Sequence, residues 1–108
     1  MILADTSVWV RHLRDGDRQL ADALQDNRVV CHPFIVAELA LGSLRNRTLV
    51  LGLLDALPQA PIADAMELRQ MIERRAVYGR GIGYVDAHLL ASTLLEGGLR
   101  LLTKSLSD

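Results

Sequence analysis

The chain has 108 residues, half of them apolar and 23% charged, with a formal net charge of −1. That length holds one hydrophobic core, and the balance is that of an ordinary folded protein, which excludes both a two-domain chain and a disordered one. The small net charge excludes a global basic field, and no apolar run approaches the roughly 20 residues that cross a bilayer, so the expectation is a cytoplasmic domain that meets any polyanion through local groups.

Met1 to Ala4 reads as a short strand ending at Asp5-Thr6-Ser7, residues whose side-chain oxygens cap helices. Val8, Trp9, His12 and Leu13 predict a one-sided helix that stops near Asp15-Gly16, and Asp17 caps a second helix with Leu20, Ala21 and Leu24 inward. Val29 to His32 reads as the next strand. Pro33, whose missing N–H costs nothing in a first turn, opens a strongly apolar helix continued by Phe34 to Leu44. A further helix over 47–57 places Val50, Leu53, Leu54 and Leu57 on one stripe, and Leu49 and Leu51 widen it beyond one core face, which predicts a dimer surface. Pro61-Ile62 reads as a short strand. Asp64 and Glu67 have the spacing of a capping box before a helix with Ala65, Leu68, Met71 and Ile72 on one side. Gly79 to Gly83 interrupts the chain, Tyr84 to Leu95 forms a helix closed by Gly97-Gly98, and Leu99 to Thr103 is a final strand. Strands alternating with helices predict an α/β fold, a single domain over 1–108 with a central parallel sheet, whose ligands bind beyond the carboxyl ends of the strands.

Three acids stand out against that frame. Asp5 lies where the first strand meets the first helix, a position that serves either a ligand or a helix cap. Glu38 has Phe34, Ile35, Leu39 and Leu41 as helical neighbours, so it is expected to be buried and compensated by an arginine, a metal ion or a raised pKa. Asp86 falls in the first turn of the helix after Gly79 to Gly83, where the helix dipole alone also favours an acid. A parallel sheet brings such distant positions into one pocket. Three carboxylates there repel one another unless a hard divalent cation sits among them, and magnesium or manganese takes oxygen ligands while keeping several waters. Such an ion activates water against a phosphodiester.

Other signals are weaker. Cys31, the single cysteine, forms no intramolecular disulfide and reads as a small buried hydrophobe. Gly79-Arg80-Gly81-Ile82-Gly83 lacks the third glycine and the preceding strand of a dinucleotide fingerprint; it is a loop, or it holds an RNA phosphate with Arg80. Arg11, Arg14 and Arg18 line either an RNA path or a solvated helix face. His12, His32 and His88 have no metal-ligand spacing, and Trp9 is a core residue, with base stacking as the alternative.

Asp5-Thr6-Ser7, Val36-Ala37-Glu38-Leu39-Ala40-Leu41-Gly42 and Val85-Asp86-Ala87-His88-Leu89-Leu90-Ala91-Ser92 together resemble the acidic motifs of PIN-domain ribonucleases, and within them the VapC toxins. The likeness runs from Met1 to about Thr103. It implies a three-layer α/β/α fold, RNA cleavage dependent on Mg2+ or Mn2+, a homodimer, and inhibition by a cognate VapB-type antitoxin that inserts a segment near the active site. It carries catalysis and metal binding to Asp5, Glu38 and Asp86, and a hydroxyl supporting the first acid to Thr6 or Ser7. The family usually has a further acid two residues after a Thr or Ser at the last motif strand. Here Thr103-Lys104 is followed by Ser105, so the fourth ligand is expected to be absent. Thr103 and Ser105 remain as supporting residues, Ser105 through a metal-bound water, while Asp108 reaches inward only if the chain turns back. Lys104 is either a phosphate contact or a solvated charge. The chain also ends at Asp108, before the helix and strand with which the family normally continues, an ending expected to leave a sheet edge exposed. These two departures motivate an alternative, a catalytically impaired PIN-like module that pairs with an antitoxin. A phospho-acceptor receiver domain would need a second acid beside Asp5, which the chain lacks.

Overall fold

Three short runs rich in leucine, isoleucine and valine form the sheet: β1 (Ile2–Ala4), β2 (Val29–Val30) and β3 (Arg100–Leu102). The computed structural model describes residues 1–103, so the expectations for Lys104, Ser105 and Asp108 lie outside the described residues. β1 is central and pairs in parallel with both neighbours, Ile2 with Val29 and Leu3 with Val30 on one side, and Leu3 with Leu101 and Ala4 with Leu102 on the other. A strand flanked on both edges and covered on both faces has no solvent side, which is why all of β1 is apolar and buried.

Parallel pairing requires crossovers, and among the described residues six helices supply them. Between β1 and β2 lie α1 (Thr6–Asp15) and α2 (Arg18–Gln25); between β2 and β3 lie α3 (Pro33–Leu41), α4 (Arg47–Ala56), α5 (Ala65–Arg75) and α6 (Tyr84–Leu95). The predicted caps form. The Asp17 carboxylate accepts the Leu20 N–H at 2.9 Å, and Asp64 and Glu67 exchange the two hydrogen bonds of a capping box at 2.7 and 2.9 Å. Val8, Trp9, Leu20, Ala23, Ile35, Leu39, Leu54 and Leu89 join the sheet in the main core. Ala87 and Ala91, on another side of α6, meet Ala63, Leu68 and Met71 in a second cluster against α5. α6 is therefore covered on two sides, and its middle turns bury Ala87, His88, Leu89, Ala91 and Ser92.

Several expectations are corrected. Pro61-Ile62 is not a strand: among the described residues the sheet is extended beyond β2 by a single bridge between Cys31 and Gln59, with the Cys31 N–H on the Pro58 carbonyl and the Ala60 N–H on the Cys31 carbonyl. His32 is not a strand residue but the N-cap of α3, its Nδ1 accepting the Phe34 N–H at 3.0 Å. α3 ends at Leu41 rather than Leu44, because the Arg47 guanidinium binds the Ala40 and Gly42 carbonyls and closes the helix end from outside. In α2 the inward residue is Ala23 and not Ala21, and in α1 Leu13 faces solvent. Leu53, expected on the inner stripe of α4, is exposed with Leu49, while Val50, Leu51 and Leu57 pack on the core around Leu54. Trp9 and Cys31 are core residues as expected, and burial pushes the Cys31 thiol up to about 11, which keeps it protonated and unreactive near neutral pH.

Candidate active site

Asp5, Thr6, Ser7, Glu38, Gly83, Tyr84, Val85 and Asp86 line one open cleft of about 560 Å³. The topology explains their meeting. Asp5 follows the end of β1, the central strand, and the helices carrying Glu38 and Asp86 return to the same end of the sheet.

Asp5 is the most constrained of the three acids. It is the N-cap of α1, only 6% exposed, and both carboxylate oxygens are engaged. Oδ1 accepts the Val8 N–H at 3.0 Å and the Ser7 hydroxyl at 2.7 Å, and Oδ2 accepts the Thr103 hydroxyl. The first supporting hydroxyl is thus Ser7, and Thr103, just past β3, supplies the second. Thr6 points elsewhere: its hydroxyl donates to Glu38 Oε1 at 2.5 Å, tying the start of α1 to α3.

Glu38 departs from its expectation. It is exposed at the cleft rather than buried in the apolar stretch, so it needs no internal countercharge, and among the described residues no arginine pairs with it. The helical neighbours that suggested burial divide between the core, with Ile35 and Leu39, and open solvent, with Leu41.

Asp86 is also exposed as a residue, yet the cleft walls partly desolvate its carboxyl, and the Asp5 and Glu38 carboxylates repel its charge. Together they raise its pKa above the ordinary carboxylate value. That coupling places the three acids within one another's field. Its helix start is less constrained than that of α1, because Gly83 at the N-cap offers no side-chain oxygen to the first turn.

The donors in this cleft are carboxylates and hydroxyls, which are hard oxygen ligands, and no basic side chain lines it among the described residues. The described residues contain no ready-made cluster of three His, Cys, Asp or Glu groups for an ion. The donor set therefore fits a hydrated divalent cation held through one or two carboxylates, with waters completing its shell. Such a cation would also relieve the repulsion at Asp86.

Arg11, Arg14 and Arg80 are exposed and do not line the cleft. Arg14 instead lies 3.9 Å from the exposed Asp15, a surface pair of little energetic weight. Sequence reasoning missed Tyr84 as a cleft residue and the aromatic group behind it. Tyr84 lies near-parallel to Phe34, with ring centroids 6.4 Å apart, and His88 meets both rings edge-on at 4.7 Å. His32 closes the group against Phe34 and His88, and burial with the neighbouring His88 lowers its pKa to about 4. The signal in the sequence is the four-residue spacing from Tyr84 to His88, which puts both on one helix face.

The PIN domain family model matches residues 2–104. Ribonuclease VapC32 of Mycobacterium tuberculosis, from strains CDC 1551 / Oshkosh and ATCC 25618 / H37Rv, is 49% identical over 104 residues, covering 96% of this chain and 84% of the relative. The matched span includes Asp5, Glu38 and Asp86 together with the sheet that gathers them. The chain therefore belongs to the PIN-domain family, among its VapC-type members.

Proposed function

We propose that the chain is a metal-dependent endoribonuclease, the toxin of a type II toxin–antitoxin pair, with Mg2+ or Mn2+ as cofactor and Asp5, Glu38 and Asp86 as its working acids. The observation that carries this reading is that three acids from three separate helices line one cleft, in a chain 49% identical to a ribonuclease. In this reading residues 1–108 work as one domain in the cytoplasm, act on RNA, pair with a VapB-type antitoxin and form a homodimer. The leucines exposed on α4, Leu49 and Leu53, support the dimer.

A divalent cation bound in the cleft would supply positive charge against the phosphoryl oxygens and would acidify water. Asp5 and Asp86 would hold it, Asp5 with an orientation fixed by Ser7, Val8 and Thr103. Glu38, steadied by Thr6 at one oxygen, accepts a proton from the attacking water. The water oxygen bonds to phosphorus, the bond from phosphorus to the 3'-oxygen breaks, and that oxygen takes a proton, leaving a 3'-hydroxyl and a 5'-phosphate. In this reading Arg11, Arg14 and Arg80 contact RNA outside the cleft, and Ser105 remains a supporting residue.

The test is RNA cleavage by the parent and by Asp86→Asn, with Mg2+ or Mn2+ and then with chelator. Cleavage that requires the metal and vanishes in the variant is the expected result. A parent that binds the metal and an antitoxin but cuts nothing would instead assign the impaired binding module.

A further inference from the structure

The cleft has an electrostatic difficulty as a site for RNA. Three of its lining residues are acidic and none of the described ones is basic, so its own charge repels a phosphate backbone. A cation offsets part of that repulsion but gives no grip on a base. Among the described lining residues the one aromatic is Tyr84, two positions before Asp86 in the same turn of α6.

Tyr84 is 67% exposed, so much of its ring faces the solvent of the cleft. It is also supported. Phe34 lies near-parallel to it, and His88, 2% exposed, meets its edge from below. His88 is itself packed against Phe34 and His32, so the ring rests on buried aromatic neighbours rather than on a loop. A ring fixed in this way loses little conformational entropy on binding, and the part of it turned to solvent is free for stacking. Trp9, the aromatic residue closest in sequence to Asp5, is 3% exposed and is unavailable for that role.

We propose that Tyr84 is the substrate-contacting residue that selects single-stranded RNA, its ring stacking with a nucleobase next to the phosphodiester held by the acids. This rests on the ribonuclease reading above. Every nucleobase offers a π-face, so the contact favours an unpaired strand without dictating its sequence, whereas bases within a duplex already stack on one another. Specificity for particular bases then comes from residues outside this contact.

The experiment compares the parent with Tyr84→Ala, Tyr84→Phe and Tyr84→Trp in Mn2+ or Mg2+. The probes are an end-labelled random-sequence single-stranded RNA and a blunt RNA duplex of equal length. The expected result is cleavage confined to the single strand, with KM in Tyr84→Ala raised about 5- to 100-fold and kcat changed little, since a stacked base contributes about 1–3 kcal/mol. Tyr84→Phe and Tyr84→Trp restore the low KM. A second readout uses single-stranded RNA containing the fluorescent base 2-aminopurine, bound to Asp86→Asn. Stacking quenches its emission, and adding Tyr84→Ala to that variant removes the quench. An unchanged KM in Tyr84→Ala, a fall in kcat alone, equal losses in Tyr84→Ala and Tyr84→Phe, or equal cleavage of duplex each overturn the proposal while leaving the nuclease reading standing. A weakened grip on an antitoxin protein with unchanged KM assigns the ring to a protein contact and overturns it too. A parent that cuts neither RNA overturns both.

Discussion

The first turns of α1 and α6 present the same kind of acid to the same cleft and are built in opposite ways. Asp5 caps its own helix and is locked by two hydroxyls and a backbone N–H from three different positions. Asp86 sits on a helix whose cap is a glycine with no side-chain oxygen, and it is held mainly by the fold behind it. One turn is a fixed wall, and the other carries a charge whose pKa the cleft raises. A site that grips an ion between them needs one rigid ligand to define position, while the repelled carboxylate gains most when positive charge arrives.

The sharpest way to break this contrast is to remove each acid separately. Asp5→Ala and Asp86→Ala should each lower RNA cleavage on the order of a hundredfold or more. Their stabilities should differ. Asp5→Ala loses a helix cap and leaves the buried Val8 N–H without its acceptor, costing about 2 kcal/mol in denaturant unfolding. Asp86→Ala should stay within about 0.5 kcal/mol of the parent, as exposed positions do. Equal destabilisation would abolish the distinction between the two turns.

Acidity sharpens the comparison, because Asp86 on α6 pulls against two buried histidines behind it, His32 at the N-cap of α3 and His88 on α6, whose pKa values burial lowers. The folded pKa of His32 is lowered to about 4 from an ordinary 6.5, so the unfolded chain takes up the proton first. Its stabilising contribution is complete above pH 6.5 and is lost as pH falls toward about 4, by up to about 3 kcal/mol. Protonation would also place a donor at Nδ1 facing the Phe34 N–H. Asp86 has a raised folded pKa, so its contribution has the other sign: it favours the folded state at low pH and is lost as pH rises through the carboxylate range. The stability profile of Asp86→Asn should therefore fall more steeply on acidification than that of the parent, and superimposable profiles would contradict the raised pKa.

Metal loading tests the same repulsion directly. At a hundredfold excess over its Kd, Mn2+ or Mg2+ should stabilise the parent by about 2.7 kcal/mol, seen as a higher Tm, and chelator should reverse the shift. Asp86→Asn should show a smaller shift at the same concentration. The smallest expected effect is at the link between the walls. Thr6→Val removes the hydroxyl that steadies Glu38 and should reduce kcat about fivefold, the worth of roughly one hydrogen bond, with the Tm nearly unchanged.

Much of the frame was legible in the chain because it is local. Asp17, Asp64 and Glu67 announce helix starts within four residues, and those caps form as read. The bounds of α6 were also readable, since Gly83 and Gly97-Gly98 punctuate an apolar run. Errors arose where an outcome depended on distant partners. Leu44 looked helical until the Arg47 side chain closed α3 at Leu41. Pro61-Ile62 looked like a strand, while the pairing with Cys31 falls at Gln59. Leu53 has the same local pattern as Leu54, yet only Leu54 meets the core.

The sequence alone singled out Asp5, Glu38 and Asp86 as candidate acids and determined that strands alternate with helices, because side-chain chemistry, capping and periodicity are carried by neighbours along the chain. The tertiary structure decided that Glu38 faces the open cleft, that Thr6 serves Glu38 while Ser7 and Thr103 serve Asp5, and that Tyr84 rather than Trp9 stands beside the acids. Those outcomes depend on where β1 lies between its neighbours and how α6 is wedged between two clusters, and no short stretch of sequence contains the through-space distances that set them.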